Sequence, residues 1–440
     1  MRPSEPFRLA QAWRLLTLGS GLFNRVPDGV ILAADIQCLI KGMPDMSSGA
    51  LPVCQPEDVG LSSAALARLG SALQDRIAAG HLPGAVALVA RHGKVAWFEA
   101  IGRQDPASGT PMRTDSIFRI YSMTKPLVSV GVMMLWEEGR LLLNDPIEKY
   151  LPAFAQPKVG VVEGDTLRLV PAHRSITVQD LLRHTSGLTY EFRGTTLVHK
   201  AYIDARTSRL RQTNEEQVAT LGGLPLLHQP GTQWEYSRST DVLGRLIEVI
   251  SGQSLGSFLA ERICGPLGMT DAGFSVAEPQ HGRIAEAFAK DPDTGADVAL
   301  LDVKRTAIFE SGGGGMVATT MDYARFCAML LHNGRFDGAQ FLGRKTLEFM
   351  TADHLGSIPR NSESVPPGHG FGLGFAVRTA VGMAPFPGSV GSYYWSGAAG
   401  TWFWVDPAER LFAVLMIQAP GQREHYRLLF RDLVYAAIAD

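Results

Sequence analysis

Two pairs of apolar runs, one towards each end of the chain, constrain the fold more than any other feature. Residues 83–90 and 95–100 flank a short turn that contains Gly93. Residues 397–405 and 411–418 flank a second short segment with Pro407 at its centre. Each pair has the pattern of a β-hairpin. The sequence therefore predicts an antiparallel sheet to which both ends of the chain contribute.

Between the two hairpins the apolar residues recur mostly at helical spacing. This periodicity predicts helices over residues 57–79, 122–138, 177–182 and 240–250, and a closing helix over 423–439. The fold class is therefore α/β (α+β), with helices flanking the sheet. We expect an N-terminal extension over 1–50, a discontinuous sheet domain over 51–144 and 301–440, and a mostly helical inserted domain over 145–300. The active site is expected between the last two.

Composition and charge exclude several classes of protein. The chain has 440 residues and a formal net charge of -2, without a basic tail or stripe. This argues against a nucleic acid or an anionic membrane as partner. The apolar run 15–23 is too short to span a bilayer, and we prefer a cytoplasmic location to a secretory signal because no clear cleavage site follows. A homo-oligomer is compatible with the sequence.

The four cysteines do not indicate a metal site or a disulfide framework. They are widely separated, and none belongs to a Cys-x-x-Cys pair. They are Cys38, Cys54, Cys264 and Cys327. We therefore expect free thiols, no metal and no cofactor.

Ser122 and Lys125 are the strongest candidates for catalysis. A serine hydroxyl is a poor nucleophile unless a base takes its proton. Positions i and i+3 lie on one face of a helix, so Lys125 can reach Ser122. Pro126 fits this placement, because a proline in the first helical turn removes no intrahelical hydrogen bond. Alone, the Ser-x-x-Lys pattern is weak, since an exposed helix face produces it by chance.

Five ordered blocks add the missing context. The chain resembles the serine β-lactamase-like family, specifically the class C β-lactamases and the family VIII carboxylesterases. The resemblance covers roughly residues 55–440. Its blocks are SMTKP at 122–126, ITVQDLLRHTSGL at 176–188, PGTQWEYS at 230–237, GFGLGF at 370–375 and WSG at 395–397. The resemblance implies the nucleophile at Ser122 and its lysine at Lys125.

The same resemblance implies further roles, and two of its motifs depart from the β-lactamase pattern. Tyr236 matches the tyrosine that moves the proton between serine and leaving group. Arg238 stands where that pattern has asparagine; it could lower the pKa of Lys125 or point to solvent. The resemblance also implies an oxyanion hole formed by the backbone N–H groups of Ser122 and Ala398.

The third motif reads Trp395-Ser396-Gly397 where β-lactamases have Lys-Thr-Gly. A tryptophan cannot pair with the carboxylate of a β-lactam, so an uncharged acyl or alkyl group suits this position better. We expect all three residues to contact substrate, with Gly397 allowing close approach of the backbone.

Other residues lie in patterns that resemble catalytic motifs. Ser254 lies in a Gly-x-Ser-x-Gly pattern, but a helical pattern precedes it where a nucleophile elbow needs a strand. We therefore interpret Ser254 as the N-cap of a helix. A Ser–Lys–Tyr site needs no histidine, so His184, His228 and His369 are interpreted as loop or core residues. The glycine run 312–315 lacks a P-loop lysine and predicts a tight loop beside a close backbone contact.

These features predict a carboxylesterase that hydrolyses short to medium acyl esters through an acyl-enzyme. The alternatives are an amide hydrolase of the β-lactamase or D-amino-acid peptidase type, an acyltransferase, and a binding protein without turnover. The intact Ser122–Lys125 pair argues against the last of these.

Overall fold

A computed structural model describes residues 51–360 and 364–440. The predicted extension 1–50, with its apolar run and Cys38, lies outside the described residues. The helices of the described part are α1 (Ser63–Ala78), α2 (Thr124–Glu137), α3 (Val178–Leu182), α4 (Leu197–Asp204), α5 (Asn214–Gly222), α6 (Ser239–Ser251), α7 (Leu255–Leu259), α8 (Thr320–Leu331), α9 (Arg344–Met350) and α10 (Arg423–Tyr435).

The strands of the same part fall into one large sheet and three small pairs. They are β1 (Gly84–Arg91), β2 (Lys94–Asp105), β3 (Thr110–Pro111), β4 (Ile117–Arg119), β5 (Lys158–Glu163), β6 (Thr166–Pro171), β7 (Val317–Thr319), β8 (Arg335–Phe336), β9 (Ala339–Gln340), β10 (His369–Phe371), β11 (Ala376–Arg378), β12 (Tyr393–Ser396), β13 (Trp402–Asp406) and β14 (Leu411–Ile417).

The large sheet has eight strands in the order β10-β11-β12-β13-β14-β1-β2-β3. Every neighbouring pair is antiparallel. Strand β14 pairs with β1 in the register Ala87 to Leu415, which joins the two ends of the chain. The prediction of a sheet built from both ends is therefore confirmed. Every residue of β1 is buried, as in a central strand covered on both faces.

Helices cover both faces of this sheet. Successive residues of a strand point to opposite faces. Phe403 packs against Tyr323 of α8, with ring centroids 4.9 Å apart. Its neighbour Trp404 packs against Phe430 of α10, at 5.4 Å. Helices α8 and α10 thus lie on opposite sides of β13, and the predicted α/β (α+β) class with flanking helices is confirmed.

The structure corrects several predicted boundaries: the helix predicted from residue 122 begins at Thr124, and the closing helix ends at Tyr435 and not at 439. The first helix begins at Ser63 and not at residue 57, because the Ser62 side chain accepts the N–H of Ala65 and caps it. Strand β13 begins at Trp402 and not at residue 397, since the N–H of Gly397 donates to the carbonyl of Thr401 and closes a turn there. The neighbouring strand β12 was not predicted.

Residues 145–300 are mostly helix and loop, but they also contain the β5–β6 hairpin, which was not predicted. Its strands pair from Lys158–Pro171 to Glu163–Thr166 and are largely exposed, so no buried face produces a strong alternating pattern. The proposed division into a sheet domain and a helical domain remains a prediction. None of the helices described is both long and apolar enough to cross a bilayer.

Candidate active site

Ser122 lies in the last turn before helix α2. Residues Tyr121–Met123 form a single 3₁₀ turn that follows strand β4 and leads directly into α2. Tyr121 has a φ of 44°, an uncommon conformation for a tyrosine. Such strain persists only where surrounding contacts hold it. A Cβ on Gly314 would lie 3.5 Å from the Tyr121 carbonyl carbon, so the glycine run packs directly against this turn.

Lys125 is buried beneath Ser122. Its side chain is about 1% exposed, whereas Ser122 is partly exposed. Its Nζ donates to Ser122 Oγ at 3.2 Å and to the Gly313 carbonyl at 2.6 Å. The predicted contact between the two residues is therefore present. The accessible hydroxyl and the sheltered amine are arranged as a nucleophile and its base require.

The Gly313 carbonyl is held in place by Asp241, a buried residue in the first turn of α6. Asp241 Oδ1 accepts the Gly313 N–H at 2.9 Å and the Ser311 hydroxyl at 2.6 Å. A Cβ on Gly313 would come within 2.8 Å of Asp241 Oδ2 and 2.9 Å of the Tyr190 hydroxyl. The tight loop predicted for 312–315 is confirmed, and the close contact it allows is with the groups around Lys125.

Tyr236 lies on the other side of Lys125. The Lys125 Nζ is 4.5 Å from the centroid of the Tyr236 ring and 5.4 Å from that of Tyr190. The Tyr236 hydroxyl accepts the indole N–H of Trp395 at 3.4 Å. The structure thus brings Ser122, Lys125, Tyr236 and Trp395 together from three separate sequence motifs.

Trp395 is about 4% exposed and forms part of an aromatic wall. Its ring lies 5.3 Å from the rings of both Tyr236 and Phe371. His184 packs on the same wall, 5.0 Å from Tyr236, and its Nδ1 lies 3.2 Å from the Ser237 hydroxyl. Burial, and then the charge of Lys125, hold the His184 pKa well below its ordinary value. His184 is therefore a neutral packing residue.

Arg238 does not point to solvent, so that alternative is wrong. Its guanidinium is about 7% exposed, pairs with Glu191 at 2.7 Å and lies 3.5 Å from Asp241. It also stacks 4.8 Å from the centroid of Tyr190. Burial raises the pKa of Glu191, but the charge of Arg238 and the hydrogen bonds to the carboxylate together outweigh it, so the pKa is lowered overall. The guanidinium of Arg238 is therefore paired with the carboxylates of Glu191 and Asp241 and packs against the ring of Tyr190.

The Trp395-Ser396-Gly397 motif ends strand β12 and enters the turn before β13. A Cβ on Gly397 would lie 2.3 Å from the carbonyl of Ile120, so only glycine fits beside the chain that leads to Ser122. The Gly397 carbonyl accepts a hydrogen bond from Arg427 of α10. Ala398 is exposed in the turn, and Ser396 is partly exposed. The oxyanion and substrate-binding roles of these residues remain predictions.

Ser254, His369 and His228 have contacts that explain them without a role in catalysis. Ser254 accepts the N–H of Ser257 as N-cap of α7, and Gly252 ends α6 with a φ of 76°, so the helix-cap interpretation is confirmed. His369 is buried, with Nδ1 3.2 Å from the carbonyl of Pro367. His228 is half-buried and contacts backbone near Gly187.

Cys54, Cys264 and Cys327 are free thiols. Burial raises the pKa of Cys264 to about 12 and that of Cys327 further still. No group of three histidine, cysteine or carboxylate side chains within residues 51–360 and 364–440 could hold a metal ion.

Three residues of the site were missed from the sequence. They are Tyr190, Asp241 and Gly313, which surround Lys125. Tyr190 follows the matched block 176–188 by two residues, and Asp241 follows Tyr236 by five. Their proximity to recognised blocks was the available signal, but nothing in the local pattern showed that both contact one glycine.

The fold and this cluster define a serine hydrolase of the β-lactamase-like fold. The model of the Beta-lactamase family matches residues 69–436, and the chain belongs to that family.

Two similar proteins and one solved structure match most of this chain. The chain is 37% identical to Protein Rv1367c of Mycobacterium tuberculosis over 77% of this chain and 86% of that protein. It is 31% identical to Esterase EstB of Burkholderia gladioli over 87% of this chain and 98% of that protein. Among solved structures, EstCE1, a hydrolase with promiscuous acyltransferase activity, superposes with a TM-score of 0.70 at 26% identity, covering 84% of this chain and 99% of that one.

Proposed function

We propose that the protein is a carboxylesterase that cleaves short to medium acyl esters through an acyl-enzyme on Ser122. The observation that carries the proposal is the 3.2 Å contact between the Lys125 amine and the Ser122 hydroxyl, with the Tyr236 ring against the same amine. The similarity to Esterase EstB over nearly the whole of that protein supports an ester as substrate.

The reaction follows from these positions. Ser122 Oγ attacks the ester carbonyl while its proton passes through the Lys125–Tyr236 pair. The backbone N–H groups of Ser122 and Ala398 stabilise the tetrahedral oxyanion. Tyr236 then protonates the leaving alcohol, and water cleaves the acyl-enzyme by the same steps in reverse. The hydrogen bond from Trp395 fixes the Tyr236 hydroxyl during both proton transfers.

The surroundings of the site favour an uncharged substrate. Trp395 presents no charge, and Arg238 is already paired with Glu191. Phe192 is about 69% exposed and stacks on Tyr190 at 4.9 Å, which leaves an apolar ring beside the catalytic cluster. An apolar acyl group can cover such a ring and gain free energy from the area it buries. These features argue against a β-lactam with its carboxylate as the main substrate.

The test is the turnover of p-nitrophenyl esters of increasing acyl length, with nitrocefin as the β-lactam comparison. We expect ester turnover in the wild type, its loss in Ser122→Ala, and an acyl adduct on Ser122 by intact mass spectrometry. Ser254→Ala is the matched control, because it removes a helix cap and about 1 kcal/mol of stability but leaves the site intact. Ester turnover that survives in Ser122→Ala contradicts the proposal.

Acyl transfer is the second candidate, because EstCE1 is described as a hydrolase with promiscuous acyltransferase activity. An alcohol that reaches the acyl-enzyme can replace water as acceptor, and Ser122 is partly exposed. Adding a competing alcohol and measuring the transferred acyl product distinguishes the two reactions. Free acid as the sole product at saturating alcohol excludes a transferase.

A further inference from the structure

Behind the active site, the opposite face of strand β12 contacts a second and different cluster. Tyr394 precedes Trp395 and therefore points to the other face of the sheet. There the Tyr394 ring lies 5.6 Å from the guanidinium of Arg431 on α10. Arg378 of β11 reaches the same place, since both guanidinium groups contact the ring of Phe386.

The two arginines are fully buried, with exposures below 2–3%. Arg378 donates to the carbonyls of Ala380 and Phe386, and Arg431 Nε donates to that of Pro387 at 2.9 Å. Three further nitrogens, Arg378 Nη1 and both Nη atoms of Arg431, donate to no carbonyl or carboxylate in the described part of the chain. The Tyr435 hydroxyl lies beside Arg431 and offsets part of the lowering of its pKa by burial. A buried donor without a partner costs about 1–3 kcal/mol, and more when it is charged.

These unpartnered donors converge on one place. A Cβ built on Gly388 would lie 2.5 Å from Arg431 Nη2 and 2.7 Å from Arg378 Nη1. Trp402 and Trp404 lie on the same face, 5.7 and 5.5 Å from Arg431, and their indole N–H groups also have no described partner. Buried donors of this kind are normally paired in native proteins.

The charges of the cluster do not balance. Neither arginine forms an ion pair with a described carboxylate. The buried carboxylate nearby, Asp406, accepts the Tyr435 hydroxyl at 2.6 Å and the N–H of Ser389 at 3.1 Å. His369 adds no positive charge near neutral pH, since burial first, and the two arginines after it, lower its pKa to about 4. Two guanidinium groups and one carboxylate leave a buried excess of one positive charge, because arginine stays protonated in proteins.

The aromatic rings compensate part of this charge. Five rings lie within 5.7 Å of the Arg431 guanidinium, and each can attract a cation through its face. The rings attract the guanidinium charge, but apart from the Tyr435 hydroxyl they offer no hydrogen-bond acceptor to its N–H groups. A water molecule could accept from an edge, but it would not neutralise the charge.

We propose that this cluster binds one small monovalent anion of the size of chloride at the N–H edges of Arg378 and Arg431. A single negative charge balances the cluster, and a halide accepts hydrogen bonds from several directions. The enclosure of both arginines excludes a large anion. The site lies on the side of β12 away from Ser122, so it is independent of the proposed esterase reaction.

Binding of the anion would stabilise the folded state. Helix α10 carries Arg431 and, one turn earlier, Arg427, whose guanidinium donates to the Gly397 carbonyl. Neutralising Arg431 therefore strengthens the packing of α10 on the sheet and on the turn after β12. A ligand that binds only the folded state raises the melting temperature with its concentration.

The experiment measures thermal unfolding of the full chain in sodium chloride, bromide, gluconate and sulfate at equal ionic strength. We expect chloride and bromide to raise the Tm by several degrees over gluconate, and expect the difference to vanish in Arg431→Met and Arg378→Met. Sulfate should raise the Tm of wild type and variants alike, because it is excluded from the protein surface. Arg91→Met is the matched control: Arg91 is equally buried but paired with Glu409 and Asp440, so its loss lowers the Tm and preserves the halide difference.

A second measurement needs no variant. Crystals of the wild type grown in bromide should show an anomalous peak between Arg378 and Arg431. Water density at that position, or a wild-type Tm that does not distinguish bromide from gluconate, overturns the proposal. A halide difference that persists unchanged in Arg431→Met overturns it as well.

Discussion

The two faces of strand β12 hold buried positive charge in different ways. On the Trp395 face, Lys125 donates to one hydroxyl and one carbonyl, and Arg238 is paired with Glu191. On the Tyr394 face, Arg431 is surrounded by aromatic rings and has no carboxylate partner among the described residues. Directional hydrogen bonds fix single atoms where protons must move. On the Tyr394 face, the aromatic rings around Arg431 pack helix α10 against the sheet.

The largest effect expected on the Trp395 face is that of Lys125→Met. The variant keeps the volume of the side chain but removes the base, so we expect kcat for p-nitrophenyl butyrate to fall roughly 10³-fold with little change in the melting temperature. Lys149→Met is the control, because Lys149 is exposed and pairs only with Asp145 and Tyr150. Wild-type kcat in Lys125→Met would show that the amine is structural.

Asp241→Asn tests whether the loop carbonyl positions Lys125. Asparagine must turn its NH₂ group towards either the Gly313 N–H or Arg238, and both are donors. We expect kcat to fall roughly 10- to 100-fold while KM stays within a factor of two, since substrate contacts are unchanged. Asp322→Asn, at the buried N-cap box of α8, should instead lower stability more than kcat. A rise in KM alone contradicts a positioning role.

The free energy of unfolding should depend on pH through His369, which packs on the Tyr394 face. His369 has a folded-state pKa of about 4, below its ordinary 6.5, because burial and then the nearby arginines disfavour its charged form. Its unfolded form binds a proton first, so the free energy of unfolding should decrease as pH falls from 6.5 towards 4. At about 1.4 kcal/mol per pH unit, this amounts to roughly 2 kcal/mol by pH 5.

Urea unfolding of the wild type and His369→Gln at several pH values measures this slope. The variant should lose less stability than the wild type over the acidic range, whatever its stability at neutral pH. Parallel curves for the two proteins would assign the acid sensitivity to other groups and leave the Tyr394 face without a pH response.

The smallest effect is expected from adjacent residues of β12. Trp395→Phe removes the N–H donated to Tyr236 but keeps an aromatic ring, so we expect kcat to fall roughly 5-fold, about the free energy of one hydrogen bond. Tyr394→Phe removes one hydroxyl on the opposite face and should leave kcat within a factor of two. Equal losses in both variants would mean that the two faces are coupled through the strand.

Much of the fold could be predicted because its signals are local. The two hairpins and the helix cap at Ser254 each depend on neighbouring residues. The β5–β6 hairpin was not predicted because its strands are largely exposed, so apolar and polar residues do not alternate along them. Strand β12 was not predicted because its four residues are nearly all buried and aromatic, so the sequence shows no alternation of apolar and polar residues.

The contact between Ser122 and Lys125 was predictable for the same local reason, since the two residues are three positions apart. The groups that surround Lys125 were not, because Tyr190, Asp241 and Gly313 meet only after distant segments fold together. The charge of Arg238 could be read from the sequence, but its partner Glu191 could not, since 47 residues separate them. Contacts of this kind depend on tertiary structure alone.

The pairing of β14 with β1 has a consequence for synthesis. Strand β1 emerges from the ribosome with apolar side chains on both faces, but its partner is made roughly 300 residues later. At the usual rate of translation this leaves one edge of the β1–β2 hairpin without a partner for about 15–60 s. An apolar strand with an open edge is a site for aggregation. This edge therefore stays open to such pairing until Leu411–Ile417 has been made.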